Sequence, residues 1–332
     1  MAKAPPPPAY LEGDGVPPLP PLDAGSTVTV GTFDGLHRGH QAVLRTTLRR
    51  AHAAGRRAVL VTFDPHPLRV VRPDRAPPLL TTPKEKKEIL ASSGLTHAVF
   101  LNFTETLSRY TPERFVQEVL VDGLDVRDLV VGHDHGFGKG RSGDSDTLRA
   151  LGRRMGFQVE VLEPVEMEGG AVSSTRARRA VAEADLDEAR LCLGRWYSFH
   201  GRVVKGMGRG HDLGFPTANL AVDREGEKLL PPEGIYAAWG VLEGRPHPGA
   251  LHVGPRPTYD DAPPAVELHL LDFEGDLYGR WLRVDLVRRI RSVEAFQDER
   301  ALAGRIAKDV EEAREVLDAD PGGGVVRLLD DG

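Results

Sequence analysis

From Ser26 to about Val165, short β-branched and aliphatic runs alternate with segments whose apolar positions recur at helical spacing. Strands are expected at Thr27 to Val30, Ala58 to Phe63, Ala98 to Phe103, Leu129 to Val131 and Val159 to Leu162. Helices are expected from about His37 to a stop at Gly55, from Pro83 to Gly94, from Pro112 to Leu120, and from Asp146 to Gly156. Proline near a helix start and glycine just past its end are the ordinary boundary signals. Strand and helix in alternation predict a parallel sheet covered on both faces, so the first domain reads as doubly wound α/β.

The pattern then changes. Between about Ser173 and Gly194 it is helical, with Leu186, Ala189, Arg190 and Leu193 on one face, and it reads as a connector. From Trp196 to about Ile290 strand-like runs at His200 to Val204, Ile235 to Val241, Gly249 to Val253, Val266 to Leu271 and Trp281 to Val287 are separated by turns rich in Gly, Pro and Asp. Such a series predicts a small antiparallel β-barrel. A last helix, about Asp298 to Leu317, places Leu302, Ile306 and Val310 on a face suited to packing against it. The expected division is a disordered Pro-rich leader over 1–25, a first domain over 26–194, a second over 195–318 and a flexible tail over 319–332, with eight prolines in the leader.

Composition narrows the function classes. A chain of 332 residues with 40% hydrophobic and 28% charged positions is an ordinary globular length for two domains. A formal charge of -6 offers no overall positive field for a phosphate backbone or an anionic bilayer, so neither nucleic acid nor membrane is an expected partner. The single cysteine, Cys192, excludes an internal disulfide, and no apolar run approaches the ~18 residues of a membrane span. The cytoplasm is the expected compartment.

The chemistry concentrates directly after the first strand, in Gly31-Thr32-Phe33-Asp34-Gly35-Leu36-His37-Arg38-Gly39-His40. His37 and His40 are three apart at a helix start, beside free N–H groups and the positive end of the helix dipole. Gly39 between them leaves room for a phosphate or base against the backbone. The combination reads as an anion site with two titratable donors. Further motif-rich loops follow: Phe63-Asp64-Pro65-His66-Pro67 after the second strand, Val131-Gly132-His133-Asp134-His135 and Arg141-Ser142-Gly143-Asp144 after the fourth, and Ser173-Ser174-Thr175-Arg176-Ala177-Arg178 at the connector. With a 3-2-1-4-5 strand order, strands one and four would be neighbours at the switch point, where open α/β sheets bind ligands. Two decoys fall away. Gly138 to Gly143 matches G-x-G-x-x-G but starts several residues past its strand, and His133-Asp134-His135 lacks an obvious third metal ligand.

These stretches resemble the His-x-Gly-His nucleotidyltransferases, and in particular the FMN adenylyltransferase module of bacterial bifunctional riboflavin kinase/FMN adenylyltransferases. The resemblance implies a catalytic set of His37, His40 and Asp144. It implies ligand-binding roles for Gly31, Phe33, Asp34, Gly39 and Asp134, a flavin border at Phe63, Pro65, His66 and Pro67, and a hold on the distal ATP phosphates by Ser174, Thr175 and Arg178. The attacking FMN phosphate is already ionised, so such a site needs alignment and charge stabilisation more than a base.

The second half has no G-x-x-x-x-G-K-[ST] loop. It has Gly214-Phe215-Pro216-Thr217-Ala218-Asn219-Leu220, preceded by a segment with glycines at Gly206, Gly208 and Gly210 that allow backbone N–H groups to close over phosphates. Thr217 and Asn219 are hard oxygen donors of the kind Mg²⁺ accepts when phosphates supply the rest. Taken alone, the segment reads equally well as a hairpin with a proline turn. Glu267 alternates with the apolar Val266 and Leu268, and stands opposite their face as either a base or a solvated strand residue. Gly234-Ile235-Tyr236, Val253-Gly254-Pro255-Arg256-Pro257-Thr258, Asp276-Leu277-Tyr278-Gly279 and Arg289-Ile290-Arg291 follow in an order similar to that of riboflavin kinases. His252 stands where that family frequently has Asn. The resemblance implies Glu267 as general base for the riboflavin 5′-hydroxyl, Thr217 and Asn219 on Mg²⁺-ATP, and Gly206, Gly208, Gly210, Pro216 and Arg291 among the binding residues.

The expectation is a Mg²⁺-dependent enzyme with ATP, riboflavin and FMN as substrates, its two steps in separate domains. An enzyme with one live half, and a flavin-binding regulatory protein without turnover, stand as the alternatives.

Overall fold

In a computed structural model of the chain, residues 5–16, 19–20, 23–133, 143–206, 214–222, 228–254 and 265–320 are described. They form two compact units, one running through Ser173 and a second beginning at Ser174.

The first unit is a parallel sheet of β1 (Ala9–Gly13), β2 (Ser26–Val30), β3 (Arg57–Asp64), β4 (His97–Asn102), β5 (Val126–Gly132) and β6 (Gln158–Leu162), in the order β1-β4-β3-β2-β5-β6. The five strands read from the sequence are all present, in the 3-2-1-4-5 order that makes β2 and β5 neighbours. The sixth is a correction. Residues expected to form part of a disordered leader pair in register with β4, from Ala9 opposite His97 to Gly13 opposite Leu101. Tyr10 fixes this edge by donating its hydroxyl to the Lys87 carbonyl at 2.6 Å. An edge strand needs only one partner, which is how a short run between prolines joins the sheet.

The connecting helices are α1 (Arg38–Ala53), α2 (Pro67–Val71), α3 (Pro83–Leu90), α4 (Glu105–Ser108), α5 (Pro112–Phe115) and α6 (Ser145–Met155). Beyond α5 the helix continues as a π-helical stretch to Asp122. Thr82 caps α3 through a reciprocal capping box with Glu85, and Gly156 ends α6 in the left-handed conformation. Val28, Val59, Val99 and Leu129 of the sheet pack with Phe115, Leu120, Leu148 and Phe157 in one buried cluster. A two-stranded hairpin, β7 (Glu166–Met167) and β8 (Gly170–Ala171), follows β6.

The expected connector is two helices, α7 (Ser174–Ala182) and α8 (Leu186–Leu193). Ala184 turns the chain with a φ of 59°, and Asp185 caps α8. Both helices belong to the second compact unit, which begins at Ser174. The Arg190 guanidinium lies 3.7 Å from the centre of the Trp196 ring and pairs with Asp320 at 2.7 Å, which ties α8 to the barrel's own elements.

The barrel closes in the order β10-β13-β12-β11-β14-β9. Its strands are β9 (Tyr197–Val204), β10 (Ala218–Val222), β11 (Gly234–Leu242), β12 (Arg245–Gly254), β13 (Ala265–Leu270) and β14 (Trp281–Arg291). Five match the expected series; β10 is new, and it completes the closure. Phe199, Tyr236, Leu251, Leu268 and Val284 are fully or almost fully buried and form the interior. The last helix, α9 (Glu299–Ala319), is capped by Asp298 and packs Ala313 and Leu317 against Trp196, Ala237 and Val287. No helix among the described residues is long and apolar enough to cross a membrane.

Candidate functional sites

The first site grows from the end of β2. The turn that follows holds two non-glycine residues in the left-handed region, Phe33 at φ 46° and Leu36 at φ 44°. Each is a conformation that costs ~1 to 3 kcal/mol and persists only when its surroundings enforce it. The enforcement is visible. Asp34, 2% exposed, accepts from Leu80 N at 3.1 Å, Thr81 N at 2.9 Å and Thr81 Oγ1 at 3.1 Å, and Gly35 N donates to Thr81 Oγ1 at 3.0 Å.

This anchored turn delivers His37 as the N-cap of α1. Its Nδ1 accepts from His40 N at 3.4 Å, and the two imidazoles stack with centroids 3.7 Å apart and planes 23° apart. Phe33 backs the His40 ring at 4.7 Å. Gly39 packs tightly here: an added Cβ would lie 3.0 Å from the His37 ring, which would have to give by a few tenths of an ångström, and an added Cβ at Gly31 would similarly meet the Phe33 ring at 3.1 Å. The structure therefore brings together Gly31, Phe33, Asp34, His37, Gly39 and His40, with Asp34 acting as the anchor of the turn.

Next to it is a pocket lined by Thr32, Asp34, Phe63, Asp64, His66, Leu79, Thr81, Pro83 and Lys86. Phe63 is held edge-on against Phe103 at 5.4 Å. The Asp64–Pro65 peptide is cis, and His66 caps the short helix α2 that Pro67 opens. Burial pushes the Asp64 carboxyl up, against the nearby ammonium groups of Lys86 and Lys87. Burial likewise brings Lys86 down to about 8, opposed by Asp34 and Asp64. Nothing in the sequence singles out Lys86, which lies in a Lys/Glu-rich helix.

Asp144 caps α6 by accepting from Thr147 N at 2.8 Å, a bond that lowers its pKa. Ser174 and Thr175 open α7 and Arg178 lies within it, in the second unit. Asp134 lies outside the described residues, as do Gly208 and Gly210 of the second site.

The second site is a row across the barrel's outer face. Asn219 on β10 is in register with Glu267 on β13, Glu267 with His252 on β12, His252 with Ile235 on β11, and Ile235 with Arg291 on β14. Side chains at directly opposed positions on one face have Cβ atoms about 4.5 to 5.5 Å apart. The apolar partners Val266, Leu268 and Leu251 point into the core, which leaves Glu267 and His252 outside together. Thr217 lies two residues before Asn219. Gly206 packs so closely on this row that an added Cβ would be 2.0 Å from Asn219 Nδ2. Pro216 contributes its carbonyl to His269 Nδ1 at 2.8 Å. His252 is pushed down by burial, partly offset by the Glu267 carboxylate and reinforced by Arg291. Arg291 donates from Nε at 2.8 Å and Nη2 at 2.6 Å to the buried carboxylate of Asp309, which pins α9 to the end of β14.

A doubly wound sheet with His-x-Gly-His at its first helix, joined in one chain to a closed barrel with Pro-Thr-Ala-Asn at its rim, puts the protein among two-domain nucleotidyltransferase–kinases. The comparisons with known proteins agree. A family model described as FAD synthetase matches residues 19–176, and one described as riboflavin kinase matches residues 193–317. The bifunctional riboflavin kinase/FMN adenylyltransferase of Pseudomonas fluorescens is 39% identical over 297 residues, covering 89% of this chain and 94% of that protein. The protein of the same name from Escherichia coli strain K12 is 36% identical over 292 residues, covering 88% and 92%. A crystal structure from Streptococcus pneumoniae, described as a macrolide-efflux protein, aligns with a TM-score of 0.80 at 26% identity, over 92% of this chain and 98% of that one. The chain belongs to the bifunctional riboflavin kinase/FMN adenylyltransferase family.

Proposed function

We propose that the chain phosphorylates riboflavin to FMN with ATP on the barrel, and transfers the adenylyl group of a second ATP to FMN in the first unit, releasing pyrophosphate and FAD. The observation that carries this reading is the placement of Glu267 beside Asn219 on the barrel's outer face. An alcohol must lose a proton to attack a phosphoryl group, and Glu267 supplies a carboxylate for it. The phosphate of FMN needs no base. For that step the stacked His37 and His40, at the N-terminus of α1, suit a role in holding charge on the α-phosphate and the leaving pyrophosphate.

Thr217 and Asn219 are assigned to Mg²⁺ in the kinase half. Their oxygens form a sparse donor set, and no group of three or more His, Cys, Asp or Glu able to hold a metal is found among the described residues. Such a set suits a cation that arrives with the nucleotide's phosphates and neutralises them. Ser174, Thr175 and Arg178 are assigned to the ATP phosphates by resemblance, as Phe63, Pro65, His66 and Pro67 are to the flavin. The partners on this reading are small molecules. The compartment on this reading is the cytoplasm.

Incubating the whole chain with riboflavin, ATP and Mg²⁺ and separating the flavins by chromatography tests the proposal. FMN followed by FAD is expected. FMN alone would leave one live half, and neither product would point to a flavin-binding protein without turnover.

A further inference from the structure

Lys86 occupies a place in the first unit that the chemistry above does not use. It lies on α3, is 6% exposed, and lines the pocket beside the His37 turn. Its ammonium donates to the Thr32 carbonyl at 2.6 Å and to Thr62 Oγ1 at 3.1 Å. The Thr62 hydroxyl donates in turn to the same Thr32 carbonyl at 3.0 Å. One carbonyl thus receives two hydrogen bonds, one of them charge-assisted. It belongs to the residue directly before Phe33, where the backbone enters the left-handed region. The far side of the turn is held by Asp34 on Leu80 and Thr81. The backbone that carries His37 is therefore held on both sides of Phe33, and the Lys86 hold bears a positive charge.

We propose that Lys86, as its ammonium, is a positioning residue for adenylyl transfer: by gripping the Thr32 carbonyl it fixes the turn that aims His37 and the N-terminus of α1. This rests on the reading of the first unit as the FMN adenylyltransferase site. A lysine is an expensive way to fill a buried position, and it is held in its charged form by acids that face it from two other elements, Asp34 in the turn and Asp64 at the end of β3. His66 lines the same pocket from the start of α2, and Phe100 of β4 presents its ring 6.0 Å from the ammonium. Because its proton is lost near pH 8, the grip on Thr32 weakens within the range in which enzymes are ordinarily assayed. A displacement of about 1 Å at a reacting group costs on the order of 10²-fold in rate.

The test follows FAD formation from FMN, ATP and Mg²⁺ between pH 6.5 and 9.5, with FMN formation from riboflavin measured on the same preparation. For the unaltered chain the kcat of adenylyl transfer is expected to fall above pH ~8, while phosphorylation shows no matching fall. Lys86→Met should lower the adenylyl-transfer kcat about 10- to 100-fold with KM for FMN and ATP nearly unchanged, and its residual activity should lack the alkaline fall. A kcat within about threefold of the parent, or an alkaline fall that persists in the variant, overturns the proposal. Should the variant fail to fold by circular dichroism, the profile of the unaltered chain decides, and an adenylyl-transfer rate flat to pH 9.5 overturns it. An unaltered chain that makes no FAD from FMN at any pH would instead remove the adenylyltransferase reading itself.

Discussion

Glu267 and Asn219 face each other in register across the β13–β10 pair, on the side of the barrel turned away from its apolar core. A carboxylate and an amide oxygen are thereby fixed on neighbouring strands, with His252 one strand further on. Rigid strands hold such groups more closely than loops do, which is what the proposed role of Glu267 as a base requires.

Replacing Glu267 with Gln keeps the size of the side chain and removes its capacity to take a proton. Riboflavin phosphorylation should slow by about 10²- to 10⁴-fold, the usual contribution of a positioned base. Conversion of added FMN to FAD should continue at near the parent rate. Assaying both steps on one preparation separates a lost base from a lost fold, and an unchanged first step would return Glu267 to an ordinary strand residue.

Gly206 tests the same row from its other edge. A methyl group there would overlap the Asn219 amide, 2.0 Å from Nδ2. Gly206→Ala should displace Asn219 and raise the KM for ATP in FMN formation about tenfold or more, with adenylyl transfer unaffected. Steady-state kinetics of both steps would reveal it, and a variant with parental ATP dependence would mean that Asn219 has no part in nucleotide binding.

Asp309 is buried, and its carboxylate takes two bonds from Arg291 while Arg305 Nε lies 3.3 Å from it. Removing one partner of a buried bidentate pair strands the other charge, at a cost of about 3 to 5 kcal/mol. Asp309→Asn should therefore lower the thermal midpoint of the second unit by several degrees and loosen α9, detectable by calorimetry and by faster amide exchange in residues 299–319.

Much of this is legible in the amino-acid sequence. The alternation of strand and helix, the five strands β2 to β6 and the His37-x-Gly39-His40 turn follow from local periodicity and local spacing, and the structure has them. What escaped depends on distant contacts. β1 hides among prolines because an edge strand needs only β4 beside it, and β10 hides in a Pro-Thr-Ala-Asn segment that reads as a turn until β9 and β13 flank it. Asp34 looks like a ligand in the sequence, and its anchoring role appears only when Leu80 and Thr81 are brought to it. Lys86 is silent for the same reason: its helix is polar by composition, and only the docking of Thr32 and Thr62 makes that one lysine buried. α7 and α8 follow from periodicity as helices, while packing such as that of Arg190 on Trp196, which joins α8 to the start of the barrel, is not carried by periodicity.

The central claim is that one chain holds two separate sites, the second consuming the product of the first. Its most direct test mixes two variants, Glu267→Gln and the double substitution His37→Ala with His40→Ala, and follows FAD formed from riboflavin, ATP and Mg²⁺. The first variant alone should stall at riboflavin and the second at FMN, each losing at least about 10²-fold in FAD formation. Together they should restore FAD synthesis, because FMN released by the second variant is adenylylated by the first. A mixture that makes no FAD while both proteins are folded, or either variant making FAD at the parent rate by itself, would contradict the two-site reading.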